Sequence, residues 1–396
     1  MPKILIHSAA PWCPSGYGQQ TAQLALRLKA AGHDVEISAH YGLEGARLTW
    51  NGILVHPGAN DFGERMLPRY IETLGPELVL TLLDVWTLDR IAKKLRGTPI
   101  ASWTPVDHSP LGEPILQFFR KSDSIPIAMS RHGEHELAQA GLQPLYAPHA
   151  IDTSVFHPRD RGESRELCGI PQSAFAIAMV AANMDSGPSR KGFVEALRAF
   201  KIFRERHDDA ILYLHTSLTG TYGGGVGINL SWVCERLGIE VEWLRGTPTI
   251  QYENGVPPEH LAMLYSAADI LLAPSYGEGF GIPVVESQAC GTPVIVGDFT
   301  AQPELCGAGW LVEGQPCWID RYRAWWQQPD VESIVDALER AYAEAEGMSD
   351  QAVEFAGLYD ADRVFNEHWA PALRRLLPAQ PNRAMRRAAG RQKVVA

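Results

Sequence analysis

The stretch Pro274-Ser275-Tyr276-Gly277-Glu278-Gly279-Phe280-Gly281-Ile282-Pro283 sets three glycines around Glu278, and Glu286 follows three residues beyond it. Pro283 suits the first turn of a helix, so the loop is expected to end on a helix N-terminus. There the amides of Gly279, Phe280, Gly281 and Ile282, with the positive helix end, could cradle a diphosphate. Glu286, one turn in, could accept hydrogen bonds from ribose hydroxyls as acids do in dinucleotide folds, and Glu278 could serve sugar hydroxyls. A single carboxylate near a helix start would ordinarily be read as a partner of the helix dipole. Two acids framing one glycine loop favour a ligand.

Other candidates carry less. Ser15-Gly16-Tyr17-Gly18 could bring backbone N–H groups to an anion, but Thr21 occupies the third glycine position of G-x-G-x-x-G, and a tight strand-to-helix turn explains the residues equally well. Asp107-His108 follows an apolar run, where a His–carboxylate pair could face a cleft. A neutral imidazole there could hydrogen-bond a transferred sugar or an acceptor hydroxyl, with Asp107 fixing its tautomer. The plainer reading is a turn cap and an ordinary loop histidine. Asp84 and Trp86 stand similarly after another run. Asp360-Ala361-Asp362 spells a metal-binding D-x-D, yet positions i and i+2 diverge on a helix, so it reads as capping. His132 and His135 lack the H-E-x-x-H spacing, and the six cysteines lie far apart with no C-x-x-C. No metal site is expected. Tyr222–Gly227 reads as a loop that could border the ligand.

These residues need elements to hold them. Short, almost purely apolar runs at 4–6, 35–39, 78–83, 100–103, 125–129 and 145–147 alternate with helical patterns. Strands buried on both faces read this way, which implies a parallel, doubly wound α/β sheet. The pattern restarts with runs at 176–182, 211–214, 241–244, 270–273 and 294–296. Two Rossmann-like domains result, 1–160 and 161–355, with ligands expected in the cleft beyond the strand carboxyl ends. Trp318, Tyr322, Trp325 and Trp326 recur at roughly helical spacing and are assigned to packing. A helix within 356–378 is expected to pack back on the first domain, and 379–396 to form a basic flexible tail.

From Pro274 to Val312, PSYGEGFGIPVVESQACGTPVIVGDFTAQPELCGAGWLV resembles the nucleotide-sugar motif of the family-4 retaining glycosyltransferases of GT-B fold. Their two glutamates, with seven residues between them, match Glu278 and Glu286. The likeness extends to the Gly16/Gly18 loop, Gly32–Val35, the hinge His149–Pro158, Ser189–Phe193 and Leu261–Ser275. The resemblance implies a two-domain GT-B enzyme that moves a sugar from a nucleotide diphosphate sugar to an acceptor with retention. It needs no metal and no cofactor beyond that co-substrate. Lys191 matches the family lysine that neutralises the departing diphosphate. Family members place an arginine shortly before it, just after the strand; here Asn183 follows the strand and the nearest arginine is Arg190. The family's histidine on an N-domain loop is matched by His108, with Asp107 beside it. A nucleotide-sugar epimerase would share the donor site but need no acceptor, and a degenerate GT-B domain would only bind.

Charge narrows the partners. The 396 residues hold 35 bases and 46 acids, net −11. Five bases lie in the acid-free stretch 379–396, so residues 1–378 carry 30 bases against 46 acids, net −16. Such a body repels phosphate backbones, so nucleic acid would need a local patch or the tail. Asn382–Ala388 resembles basic terminal segments of actinobacterial phage proteins, which implies capsid protein or phage DNA among the acceptors. A glycan, lipid, protein or modified nucleic acid all stay open. With no signal peptide and no 18-residue apolar run, a cytoplasmic protein is expected.

Overall fold

The computed structural model describes residues 1–59, 61–185, 189–220 and 227–377. The stretch 379–396 and all but the last residue of the Tyr222–Gly227 loop lie outside these described residues.

The apolar runs of the first half become the strands of one sheet. They are β1 (Lys3–Ala9), β2 (Asp34–Tyr41), β3 (Leu48–Trp50), β4 (Ile53–His56), β5 (Leu78–Leu82), β6 (Ile100–Thr104), β7 (Ile125–Ala128) and β8 (Leu145–Tyr146). Their order is β3-β4-β2-β1-β5-β6-β7-β8, and every pairing is parallel except the β3/β4 hairpin at the edge. All five residues of β5 and of β6 are buried, because helices cover both faces and leave no solvated side. The order reverses direction beside β1, and ligands bind at such a switch point.

The second sheet holds β9 (Phe175–Val180), β10 (Ala210–His215), β11 (Leu244–Gly246), β12 (Ile270–Ala273), β13 (Val294–Gly297) and β14 (Gly309–Val312), in the order β11-β10-β9-β12-β13-β14, all parallel. The run 241–244 is not the strand the sequence implies. Val241–Trp243 forms a short 3-10 turn, and the edge strand starts only at Leu244. Val241 is 83% exposed, so its apolar side chain marks no core position.

Trp318, Tyr322, Trp325 and Trp326 lie on no helix. They belong to an antiparallel hairpin of β15 (Gly314–Ile319) and β16 (Ala324–Pro329), in which Trp318 faces Trp325 across the strands. The hairpin leaves the second sheet and reaches the first domain. Ser109 and Trp325 exchange both backbone hydrogen bonds, at 3.1 and 2.8 Å, and the Glu113 N–H donates to the Tyr322 carbonyl. Gln327 N–H donates to Tyr276 C=O in the glycine loop. One hairpin thus touches both walls of the cleft.

The chain ends by recrossing to the first domain. Ile151 and Asp360 form a parallel bridge, Thr153 donates to Asp360, and Arg27 pairs with Asp362. The Asp360 side chain accepts from the N–H groups of Asp362 and Arg363, so the D-x-D caps a helix start. Trp369 packs edge-on against Trp103, with ring centroids 4.8 Å apart. Trp369→Ala should therefore cost about 3 kcal/mol or more through the cavity it opens, read as a lower denaturant midpoint. Trp232→Ala, at a site 69% exposed, should leave the midpoint within experimental error.

Candidate functional site

β12 delivers the chain to the cleft at Ala273, and the glycine loop then turns into the helix Ile282–Ala289. Gly281 stands at φ +119°, a left-handed conformation that side chains rarely adopt. Gly277 and Gly279 lie so close to Asp107 and Pro105 that a Cβ on either would strike the first domain. The loop is therefore pressed into the opposite wall, and the first N–H groups of its helix, which lack intrahelical acceptors, open on the cleft.

Three charged groups meet at the loop's centre. Glu278 accepts from Lys191 Nζ at 2.5 Å, from Arg190 at 3.0 Å and from Ser275 Oγ at 2.6 Å. Burial pushes its carboxyl up, but Lys191 and Arg190 outweigh that and hold it down at about 2. Burial pulls the Lys191 ammonium below the ordinary lysine value even beside Glu278. Arg190 feels the same burial, yet Glu278 and Asp107 raise it. It also donates to Gly277 C=O and lies 3.5 Å from Asp107 of the first domain. Lys191 occupies the turn before Gly192, at φ +65°, where the helix Phe193–Arg204 begins. That helix holds the turn in place by burying Phe193, Leu197, Phe200 and Phe203.

Two adjoining cavities run along the N-terminus of the helix Ile282–Ala289. One, of about 420 Å³, contains Arg190, Lys191, Glu278 and the Gly279–Ile282 backbone, faced by Tyr17, Asp84, Asp107 and His149 of the first domain. The other, of about 210 Å³, reaches Glu286 and His215; Gly16, Ala181 and Ile282 line both. Glu286 is buried and accepts from Tyr265 Oη at 2.9 Å, and burial pushes it up to about 7. A third cavity of about 770 Å³ lies on the outer face of the second domain around Arg198, Asp336 and Arg340 and contains none of the residues singled out in the sequence.

Not every expected residue reaches the cleft. His108 is 1% exposed and lines neither cavity. Its Nε2 accepts from the Gly112 N–H at 2.8 Å, which places the proton on Nδ1, donated to Asp107 at 2.7 Å. Its ring stacks on Tyr322 of the hairpin at 4.7 Å and 7°. Both nitrogens are occupied, so His108 orients Asp107 and cannot itself meet a sugar. Asp107 does line the cleft, and hydrogen bonding from His108 with the Arg190 charge holds its carboxyl below the usual range despite burial. Gly18 is also corrected. Its N–H goes to Ser15 Oγ as a helix cap, and a Cβ there would strike the Cys13 carbonyl, so packing explains the glycine. Sequence reasoning missed His149, which follows β8 as other cleft residues follow their strands. It underestimated Asp84, which follows β5. Among the described residues, no three His, Cys, Asp or Glu side chains converge to hold a metal.

Residues 241–354 match the family described as "Glycosyl transferases group 1". Over 206 residues the chain is 28% identical to the "D-inositol 3-phosphate glycosyltransferase" of Paenarthrobacter aurescens, covering 51% of this chain and 47% of that one. It is 35% identical over 125 residues to the "O-antigen chain mannosyltransferase B" of Escherichia coli, 32% of this chain and 30% of that one. The matched stretch spans about half the length of the first two curated relatives, at 47% and 52%. In three dimensions, sucrose-phosphate synthase from Thermosynechococcus elongatus superposes with a TM-score of 0.74 at 18% identity, covering 95% of this chain and 99% of that one. Anabaena HepE in complex with UDP-glucose does so with a TM-score of 0.69 at 15% identity, covering 94% and 99%. The architecture is GT-B, two parallel-sheet α/β domains facing a cleft. No helix among the described residues is long and apolar enough to cross a membrane.

The buried Glu286 carboxyl has a measurable consequence. From its ordinary value of 4.5 to about 7, the unfolded chain has released this proton while the folded chain keeps it. Its contribution to stability therefore falls as pH rises through that window and levels off above it. Denaturant unfolding of Glu286→Gln should gain on wild type steadily from pH about 5 to about 7. Parallel pH curves would contradict the buried, proton-holding carboxyl.

Proposed function

We propose that this chain is a glycosyltransferase that moves a sugar from a nucleotide diphosphate sugar to an acceptor hydroxyl with retention of configuration. The observation that carries the reading is the convergence of Lys191 and Arg190 on Glu278 at the open N-terminus of the helix Ile282–Ala289. The nucleoside lies along the smaller cavity, with Glu286 receiving its ribose hydroxyls, and the diphosphate lies over the loop amides. The sugar projects into the larger cavity, where Glu278 and its partners meet it. The acceptor oxygen attacks the anomeric carbon on the face the diphosphate leaves. The carbon–oxygen bond to phosphate breaks, and the acceptor proton passes to the departing phosphate oxygen.

Lys191, Arg190 and the helix amides supply the charge that a leaving diphosphate requires, in a cleft where such interactions are strong. Asp107 is engaged by His108 and Arg190, which keeps it from acting as a covalent nucleophile and favours attack on the same face. The two protein cations also favour a reaction without a divalent metal.

Nucleotide release from a set of UDP-, GDP- and ADP-sugars tests this reading. One donor should be turned over, Lys191→Ala should slow release by about 100-fold or more, and EDTA should leave the rate unchanged. Wild-type turnover in Lys191→Ala, or complete loss in EDTA restored by Mg²⁺, would contradict it.

A further inference from the structure

The wall that the first domain presents to the larger cavity includes Tyr17, Asp84, Pro105, Asp107, Met129 and His149, beside the Ser15–Gly16 turn. Among the described residues it contains no lysine or arginine. Its polar side chains are two carboxylates, a phenol, an imidazole and the Ser15 hydroxyl, which caps the Gly18 N–H.

Asp84 stands at the N-cap position of the 3-10 helix Val85–Leu95 yet makes no side-chain cap hydrogen bond. Its carboxylate turns instead to the cavity, where its one hydrogen bond is a long one of 3.5 Å from Tyr17 Oη. An aspartate at a helix start ordinarily accepts from the first N–H groups, so this one is held for another donor. His149 is 3% exposed, lines the same cavity, and has no partner for Nδ1. Its ring is wedged between Trp103 and Phe280, and burial lowers it to about 3, so it brings no positive charge. The neutral imidazole can donate or accept according to its tautomer, whereas the Asp84 carboxylate has unfilled lone pairs and can only accept; what it lacks is hydrogen-bond donors.

The nearby cations are committed elsewhere. Arg190 is shared by Glu278 and Asp107, and Lys191 is paired with Glu278. Arg321 of the hairpin lies over Trp86 and donates to Tyr322 Oη, outside the cavity lining. Arg190 is thus already engaged, and among the described residues Asp84 forms no ion pair; a phosphorylated acceptor placed at Asp84 would meet an unpaired carboxylate, and like charges in a low-dielectric cleft repel by kilocalories. Specificity built from an unpaired charge against the wrong ligand follows the same rule.

We infer that Asp84 determines acceptor specificity, selecting an uncharged, hydroxyl-rich sugar or polyol and rejecting its phosphorylated counterpart. This inference rests on the transferase reading. It also separates the chain from relatives whose name specifies inositol 3-phosphate.

The test uses the full chain with whichever nucleotide sugar it turns over and measures nucleotide release above hydrolysis. The acceptor probes are matched pairs: myo-inositol with inositol 3-phosphate, and methyl glucoside, methyl mannoside and maltose with their monophosphates. A neutral member should accelerate release while its phosphate does not. Asp84→Asn should raise the KM of that neutral acceptor about tenfold while narrowing the gap between neutral and phosphorylated probes, with the dissociation constant of the nucleoside diphosphate unmoved. Equal or better use of a phosphorylated probe would overturn the inference, as would silence from every neutral probe or an unchanged acceptor KM in Asp84→Asn. Failure to bind any nucleoside diphosphate or to hydrolyse any donor would count instead against the transferase reading itself.

Discussion

Glu278 is half-buried with its carboxylate between Lys191 and Arg190, and Arg190 reaches on to Asp107 in the opposite domain. Taking each such charge out of water costs several kilocalories per mole, and mutual attraction offsets this only when the geometry is good and the remaining lone pairs are filled. Here the partners come from three separate segments: the glycine loop after β12, the turn before the helix Phe193–Arg204, and the loop after β6. None can shift alone without leaving an unpaired charge in the cleft. That constraint explains why the glycine loop is pressed against Asp107 and Pro105, and why His108 is spent on holding Asp107.

The hairpin Gly314–Pro329 serves the same cluster from outside. Its backbone joins Tyr276 of the glycine loop on one side and Ser109, two residues from Asp107, on the other. Tyr322 stacks on the ring that orients Asp107. Tyr276 is tied down again by Glu195, which accepts from its hydroxyl at 2.8 Å and from Gln328 at 2.9 Å. The C-terminal helices tie the two domains at the far end through Trp103, Trp369 and the Ile151–Asp360 bridge. The charge cluster thus lies between two sets of contacts that join the domains.

Much of this was legible in the residues. Buried parallel strands announce themselves as apolar runs because both faces are covered, and the glycine loop announces itself because its backbone passes too close to the opposite wall for side chains at Gly277 and Gly279. What stayed hidden depended on long-range pairing. Trp318, Tyr322, Trp325 and Trp326 mimic helical spacing because Trp318 and Trp325 pair across a four-residue turn; sequence separation alone cannot tell that register from a helix face. His108 had the right residue type and neighbour, but its fate was decided by Gly112 and Tyr322, one a backbone donor and the other more than 200 residues away. His149 and Asp84 differ from ordinary loop residues in lining the cavity with hydrogen-bonding capacity left unfilled, which no sequence pattern records.

A structure of the protein with a nucleoside diphosphate bound would test the central claim most directly. The diphosphate is expected at the N-terminus of the helix Ile282–Ala289, within hydrogen-bonding distance of Lys191, with the ribose at Glu286 and the Arg190–Asp107 contact intact. A nucleotide seated in the outer cavity beside Arg198 and Arg340, or one in the cleft that leaves Lys191 and Glu286 untouched, would contradict it.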